Sequence, residues 1–192
     1  MFVCVAGKND ISVNVLQTLF EKKDKNYELG IICNQNETGK DSWQKSLRFY
    51  ARKCGIREYT LQEIYQMKEL VFFSMEFDQI LKPERFIDAR FYNIHFSLLP
   101  KYRGMYTSAL PILYGEKQSG VTLHRIDRGI DTGDIIAQKV IEIGEEDTSR
   151  DLYLECIEKG TQLVIEYMDV LLKGTESAIP QEKLGATYFG RN

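Results

Sequence analysis

FVCVAGKNDISVNVLQTLF, residues 2–20, is the stretch on which the fold turns. Five apolar residues, Phe2 to Ala6, run into Gly7, and apolar side chains then recur at Ile11, Val15 and Leu19. An unbroken apolar run of that length suits a strand buried on both faces, and the later four-residue spacing suits one side of a helix. The segment therefore reads strand, turn, helix. ELGIIC (28–33) supplies a second strand, and Trp43, Leu47, Tyr50 and Cys54 form a helical stripe with Lys45, Arg48, Arg52 and Lys53 off it. LVFFSM (70–75) and FYNIHF (91–96) read as further buried strands. Strands alternating with helices predict an α/β fold with a mostly parallel central sheet and helices on both faces.

Two more strands, GVTLHRI (120–126) and DIIAQKVIEI (134–143), flank the turn-rich loop DRGIDTGD (127–134). Thr148 with Asp151 has the spacing of a capping box. It opens a long helix whose core stripe is Leu152, Cys156, Leu163, Tyr167 and Leu171, ending near Gly174. With no Pro/Ser-rich linker, residues 1–192 are expected to form one domain, with a short C-terminal extension after about residue 175.

A formal net charge of −3 gives no general attraction for nucleic acid or for an anionic membrane. The apolar start is too short for a secretory signal or a membrane span, so a cytoplasmic protein is expected. Cys4, Cys33, Cys54 and Cys156 show no C-x-x-C spacing and read as reduced thiols, with no metal site expected.

In FYNIHFSLLP (91–100), Asn93 and His95 stand two residues apart, so a strand turns both to the same face. An amide and an imidazole buried without partners would each cost about 1–3 kcal/mol, so that face meets either polar partners or a cleft. The loop DRGIDTGD offers Asp127, Asp131 and Asp134, any of which could orient the imidazole beside the amide.

The residues Asn93, His95, Ser97, Leu98, Leu99 and Pro100, with Gly120 through Asp131 to Gly133, resemble two motifs of the 10-formyltetrahydrofolate-dependent formyltransferases. The resemblance covers most of residues 1–190. It implies a Rossmann-like sheet, 10-formyltetrahydrofolate as cosubstrate, and Asn93, His95 and Asp131 as the catalytic set. It further implies a folate pocket made by the loops at Ser74–Ile80 and Gly129–Asp134, with Ser74, Met75, Glu76, Phe77, Ile80, Gly129, Ile130 and Asp134 as its residues. Met75 and Phe77 are expected to flank the pterin ring.

Acceptors differ within that family. AGKNDISVN (6–14) lacks the Gly/Ser-rich phosphate loop of glycinamide ribonucleotide formyltransferases. The C-terminal barrel of methionyl-tRNA formyltransferases and the N-terminal regulatory domain of formyltetrahydrofolate hydrolases are not expected here. AGKNDIS together with PKYRGMYTSALP (100–111) instead resembles the sugar N-formyltransferases. The resemblance implies a nucleotide-linked deoxyamino sugar, commonly dTDP-linked, as acceptor for surface polysaccharide synthesis, and a homodimer. Lys8, Asn9, Asp10, Tyr102, Arg103, Gly104, Met105 and Tyr106 are the expected substrate contacts, with Lys8 and Arg103 on phosphate and Tyr102 or Tyr106 stacking. A phosphoribosylglycinamide formyltransferase of purine synthesis and a formyltetrahydrofolate hydrolase releasing formate are the alternatives, with a silent folate or nucleotide binder as a further reading from another class.

Overall fold

The computed structural model describes residues 1–190, which divide into two compact units, Met1–Tyr92 and the residues from Asn93 onward. The first unit is built as the opening stretch predicts. Strand β1 (Phe2–Gly7) leads into helix α1 (Asn9–Glu21), then β2 (Glu28–Cys33), α2 (Leu47–Lys53), β3 (Arg57–Glu58), α3 (Leu61–Ile64) and β4 (Leu70–Met75). β1 lies between β2 and β4, parallel to both, and β2 pairs parallel with β3. Every residue of β1 and β4 is buried, as a strand covered on both faces requires.

Gly7 closes β1 at φ +143, and a Cβ there would stand 1.7 Å from the Met75 carbonyl oxygen. That same carbonyl accepts the Lys8 N–H at 3.2 Å. Only glycine admits so close an approach between the ends of the two strands. The second helix begins later than the stripe suggests. Ser46 caps it by accepting from the Phe49 N–H, so Trp43 precedes the helix and is 62% exposed.

β5 (Ala89–His95) carries the chain across the boundary between the units. The second unit continues with β6 (Arg103–Gly104), α4 (Leu110–Leu113), β7 (Gln118–Arg125), β8 (Ile135–Glu142), α5 (Ser149–Lys173) and β9 (Tyr188–Phe189). β7 and β8 pair antiparallel, with a register irregularity between Leu123 and His124, and α5 packs on both. The expected Thr148–Asp151 capping box starts α5, and Gly174 ends it at φ +67. Met168, not Tyr167, takes the buried place in the helix stripe, because Tyr167 is only half-buried. The sheet order is β3-β2-β1-β4-β5-β7-β8, and β6 with β9 forms a separate parallel pair. The four cysteines are free thiols, with Cys54 alone half-buried. Among the described residues, no helix is long and apolar enough to cross a membrane.

Candidate active site

Period-two alternation in β5 puts Tyr92 and Ile94 into the apolar interior and turns Asn93 and His95 to the other face. His95 is 7% exposed. Its Nε2–H donates to the Tyr102 carbonyl at 2.7 Å, and a carbonyl can only accept. In the neutral ring Nδ1 is therefore the unprotonated nitrogen, and it lies 3.5 Å from Oδ2 of Asp131. Burial lowers the His95 pKa below its ordinary value, against the opposing pull of the Asp131 charge and the Tyr102 bond.

Asp131 is held from three sides. Burial by itself would raise its pKa, but His124, His95 and the Gly104 N–H together bring it down to about 2. The Gly104 N–H donates to Oδ2 at 2.9 Å. The residue sits at φ +53, in the left-handed region, where only a few non-glycine side chains are tolerated, aspartate among them. Its loop is seated by Gly133, whose absent Cβ would stand 1.8 Å from the Arg125 carbonyl oxygen. Asp127 serves the loop itself: its Oδ1 accepts from the Gly129 N–H at 3.0 Å and from Thr132 Oγ1 at 2.6 Å. Of the three carboxylates in DRGIDTGD, only Asp131 faces the imidazoles.

His124 joins the site from β7, buried at 1% exposure. Its Nδ1–H donates to the Arg125 carbonyl at 2.7 Å, which leaves Nε2 to accept the Asn93 amide N–H at 3.0 Å. Nε2 is also 3.6 Å from Oδ1 of Asp131. The sequence by itself assigns His124 no role, although Thr122 and His124 repeat in β7 the two-residue spacing of Asn93 and His95. Thr122 is equally engaged. Its hydroxyl donates to the Ser97 carbonyl at 2.7 Å and accepts the Leu99 N–H at 3.1 Å, tying the SLLP loop to β7.

The other expected site residues divide into those still open to a ligand and those already used. Met75 is fully buried, so its side chain packs in the core and flanks no ring; the end of a buried strand leaves it no other place. Ser74 is 7% exposed, Ile80 is 70% exposed, and Phe77 meets Phe72 edge-on at 5.9 Å. Glu76 lies at φ +57 and accepts the Asn9 amide at 3.1 Å. Gly129 N–H is turned to Asp127, as above. Ile130 is 39% exposed, and the Asp134 carbonyl accepts the Arg125 N–H at 2.9 Å.

Lys8 and Asn9 line a cleft of about 150 Å³ with Glu37, Lys40, Gln44 and Lys45. Asp10 instead holds the wall of that cleft: its Oδ1 accepts the Lys45 N–H at 2.7 Å, and its own N–H donates to Gln44 at 3.0 Å. Tyr102 stacks on Phe189 at 5.7 Å, gives its hydroxyl to Glu116 at 2.7 Å, and is 9% exposed. It is therefore a core residue and no platform for a base. Arg103 donates to Gln181 at 2.7 and 3.2 Å, and Gly104 serves Asp131. Met105 is half-buried and gives its N–H to the Phe189 carbonyl at 2.8 Å. Tyr106, 58% exposed, keeps an accessible ring.

A mostly parallel sheet thus carries the two motifs read from the sequence, and in them an amide, an imidazole and a buried carboxylate stand together. The Formyl transferase family model matches residues 3–168, and the chain belongs to that family. Among solved structures, it is similar to WlaRD, a sugar 3N-formyl transferase solved with dTDP and 5-N-formyl-THF. The two share 44% identity at TM-score 0.95, over 100% of this chain and 70% of the other. An N-formyltransferase from Helicobacter canadensis, in complex with folinic acid and dTDP-3-aminofucose, is also 44% identical at TM-score 0.95, over 98% and 70%. Among curated proteins, a methionyl-tRNA formyltransferase from Kosmotoga olearia is 30% identical, over 98% of this chain and 64% of its own length. The chain thus spans a little under two thirds of the curated relatives it first matches.

Proposed function

We propose that this chain moves the formyl group of 10-formyltetrahydrofolate to the amine of a nucleotide-linked deoxyamino sugar, with dTDP as the nucleotide. The observation that carries this reading is the 44% identity and TM-score of 0.95 to two sugar N-formyltransferases solved with folates and with dTDP or a dTDP-amino sugar. Likeness to a methionyl-tRNA formyltransferase structure is weaker, at 20% identity and TM-score 0.64.

The reaction asks the site for two services. The amine attacks the formyl carbon, and negative charge gathers on the formyl oxygen. One N–H of the Asn93 amide is taken by His124, and the other is directed at that oxygen; such a donor is worth roughly 3–4 kcal/mol in the transition state. The amine must also shed a proton. Nδ1 of His95 accepts it, and the resulting imidazolium is stabilised by Asp131 at 3.5 Å while lying beside the oxyanion. Collapse breaks the bond from the formyl carbon to N10 of the folate, and the proton leaves with tetrahydrofolate. Folate contacts are assigned to backbone groups of the loop Ser74–Ile80 in the first unit and, separately, of the loop Gly129–Asp134 in the second.

Tetrahydrofolate release measured with and without a dTDP-amino sugar tests this assignment. Release that requires the amine supports transfer. Equal release without it, accompanied by formate, would make the protein a hydrolase.

A further inference from the structure

Gln181 lies outside every helix and strand, yet its side-chain amide is fully used. Oε1 accepts from Nη2 and Nε of Arg103 at 2.7 and 3.2 Å, and Nε2 donates to the carbonyls of Asp131 at 2.9 Å and Gly133 at 2.7 Å. An amide has two donors and two acceptor lone pairs, so nothing is left over.

The two segments it joins both bear on the Asp131 carboxylate. One supplies the Gly104 N–H to Oδ2; the other carries Asp131 in its left-handed conformation. A non-glycine residue stays there only when its surroundings hold it, and Gln181 grips its carbonyl directly. The chain beyond Gln181 continues the same attachment. Thr187 accepts the Tyr102 N–H on Oγ1 at 2.7 Å and the Arg103 N–H on its carbonyl at 2.9 Å. Phe189 lies on the Tyr102 ring, and the Tyr102 carbonyl is the group that fixes His95.

We propose that residues 181–189 are a positioning strap for the active site, in which Gln181 sets the Asp131 carboxylate against His95. The proposal rests on the reading of Asp131 as catalytic. Gln181 touches no reacting atom; it acts through the backbone of Asp131 and through Arg103.

The test uses the full chain with Gln181→Met, Asp131→Asn and the double variant. Gln181→Met keeps the side-chain length and deletes all four hydrogen bonds. Loss of an outer-shell partner of this kind costs roughly 10–100-fold, and the fall is expected in kcat, with both KM values within about twofold. The acid limb of the kcat profile should move to lower pH, because a displaced carboxylate supports protonated His95 less. In the Asp131→Asn background, Gln181→Met should add little. An unchanged kcat, or a loss that multiplies fully with Asp131→Asn and leaves the pH limb in place, would overturn the strap. Wild-type turnover in Asp131→Asn would instead remove the catalytic reading beneath it. Should Gln181→Met fail to fold, Thr187→Val deletes a single strap bond and is read the same way: lower kcat at constant KM supports the proposal, and an unchanged kcat opposes it.

Discussion

The amide nitrogen of Asn93 and Nε2 of His124 lie 3.0 Å apart, and that contact fixes which way the Asn93 amide faces. Since Nδ1 of His124 donates to the Arg125 carbonyl, Nε2 can only accept in the neutral ring, and the amide must present its N–H. His124→Phe keeps the aromatic volume but removes the acceptor. We expect kcat to fall roughly tenfold or more, with KM little changed, whereas Asn93→Ala should cost roughly 10²–10³. Steady-state formyl transfer distinguishes the two.

His95 is buried, and its pKa is lowered by that burial. Below the ordinary histidine value the unfolded chain binds a proton that the native imidazole does not, so stability falls as pH drops through that window. His95→Gln should flatten this part of the melting-temperature profile while nearly abolishing turnover. A turnover equal to wild type would remove His95 from the mechanism.

Asp131 titrates in the opposite manner, its pKa lowered from 3.8 to about 2. Its contribution to stability is present above the unfolded value and is lost as pH falls from about 4 toward 2. Asp131→Asn should therefore lose less stability over that acid range than wild type, as followed by circular dichroism, and should turn over at least a hundredfold more slowly.

Tyr102 and Tyr106 should part company. Tyr102→Phe removes the hydroxyl bond to Glu116 and should cost stability, about 1 kcal/mol, without raising KM for a nucleotide sugar. Tyr106→Ala, at an exposed ring, should raise that KM and leave the melting temperature nearly unchanged. A KM effect at Tyr102 with none at Tyr106 would reverse the assignment.

Gly133→Ala places a methyl 1.8 Å from the Arg125 carbonyl oxygen, so the Asp131 loop has to move. Overpacking of this kind costs about 1–3 kcal/mol, and activity should fall further than stability. Thermal melts and kinetics on one preparation measure both.

Much of this was legible in the chain because it is written locally. The alternation of apolar runs and helical stripes placed β1, α1, β2, β4 and β5, and the capping box placed α5. Strand alternation sets Asn93 and His95 on one face, whereas Asp131 is singled out from Asp127 and Asp134 only by the resemblance to two formyltransferase motifs. The failures are of a different kind. Met75 and Tyr102 read as ligand-facing because a thioether or phenol beside a loop looks the same in sequence whether it meets a ring or the core. The apolar stripe extends the second helix back to Trp43, whereas Ser46 caps it three residues later. The strap left no local trace, since Gln181 meets Asp131 across 50 residues of chain through groups with no periodicity.

The most direct test of the central claim is mass spectrometry of dTDP-3-amino, dTDP-4-amino and UDP-linked amino sugars, glycinamide ribonucleotide and methionyl-tRNA, each incubated with the protein and 10-formyltetrahydrofolate. A formyl mass gain on a dTDP-amino sugar, absent in His95→Gln, is the predicted result. Formylation of methionyl-tRNA or glycinamide ribonucleotide with every nucleotide sugar left unmodified would contradict it.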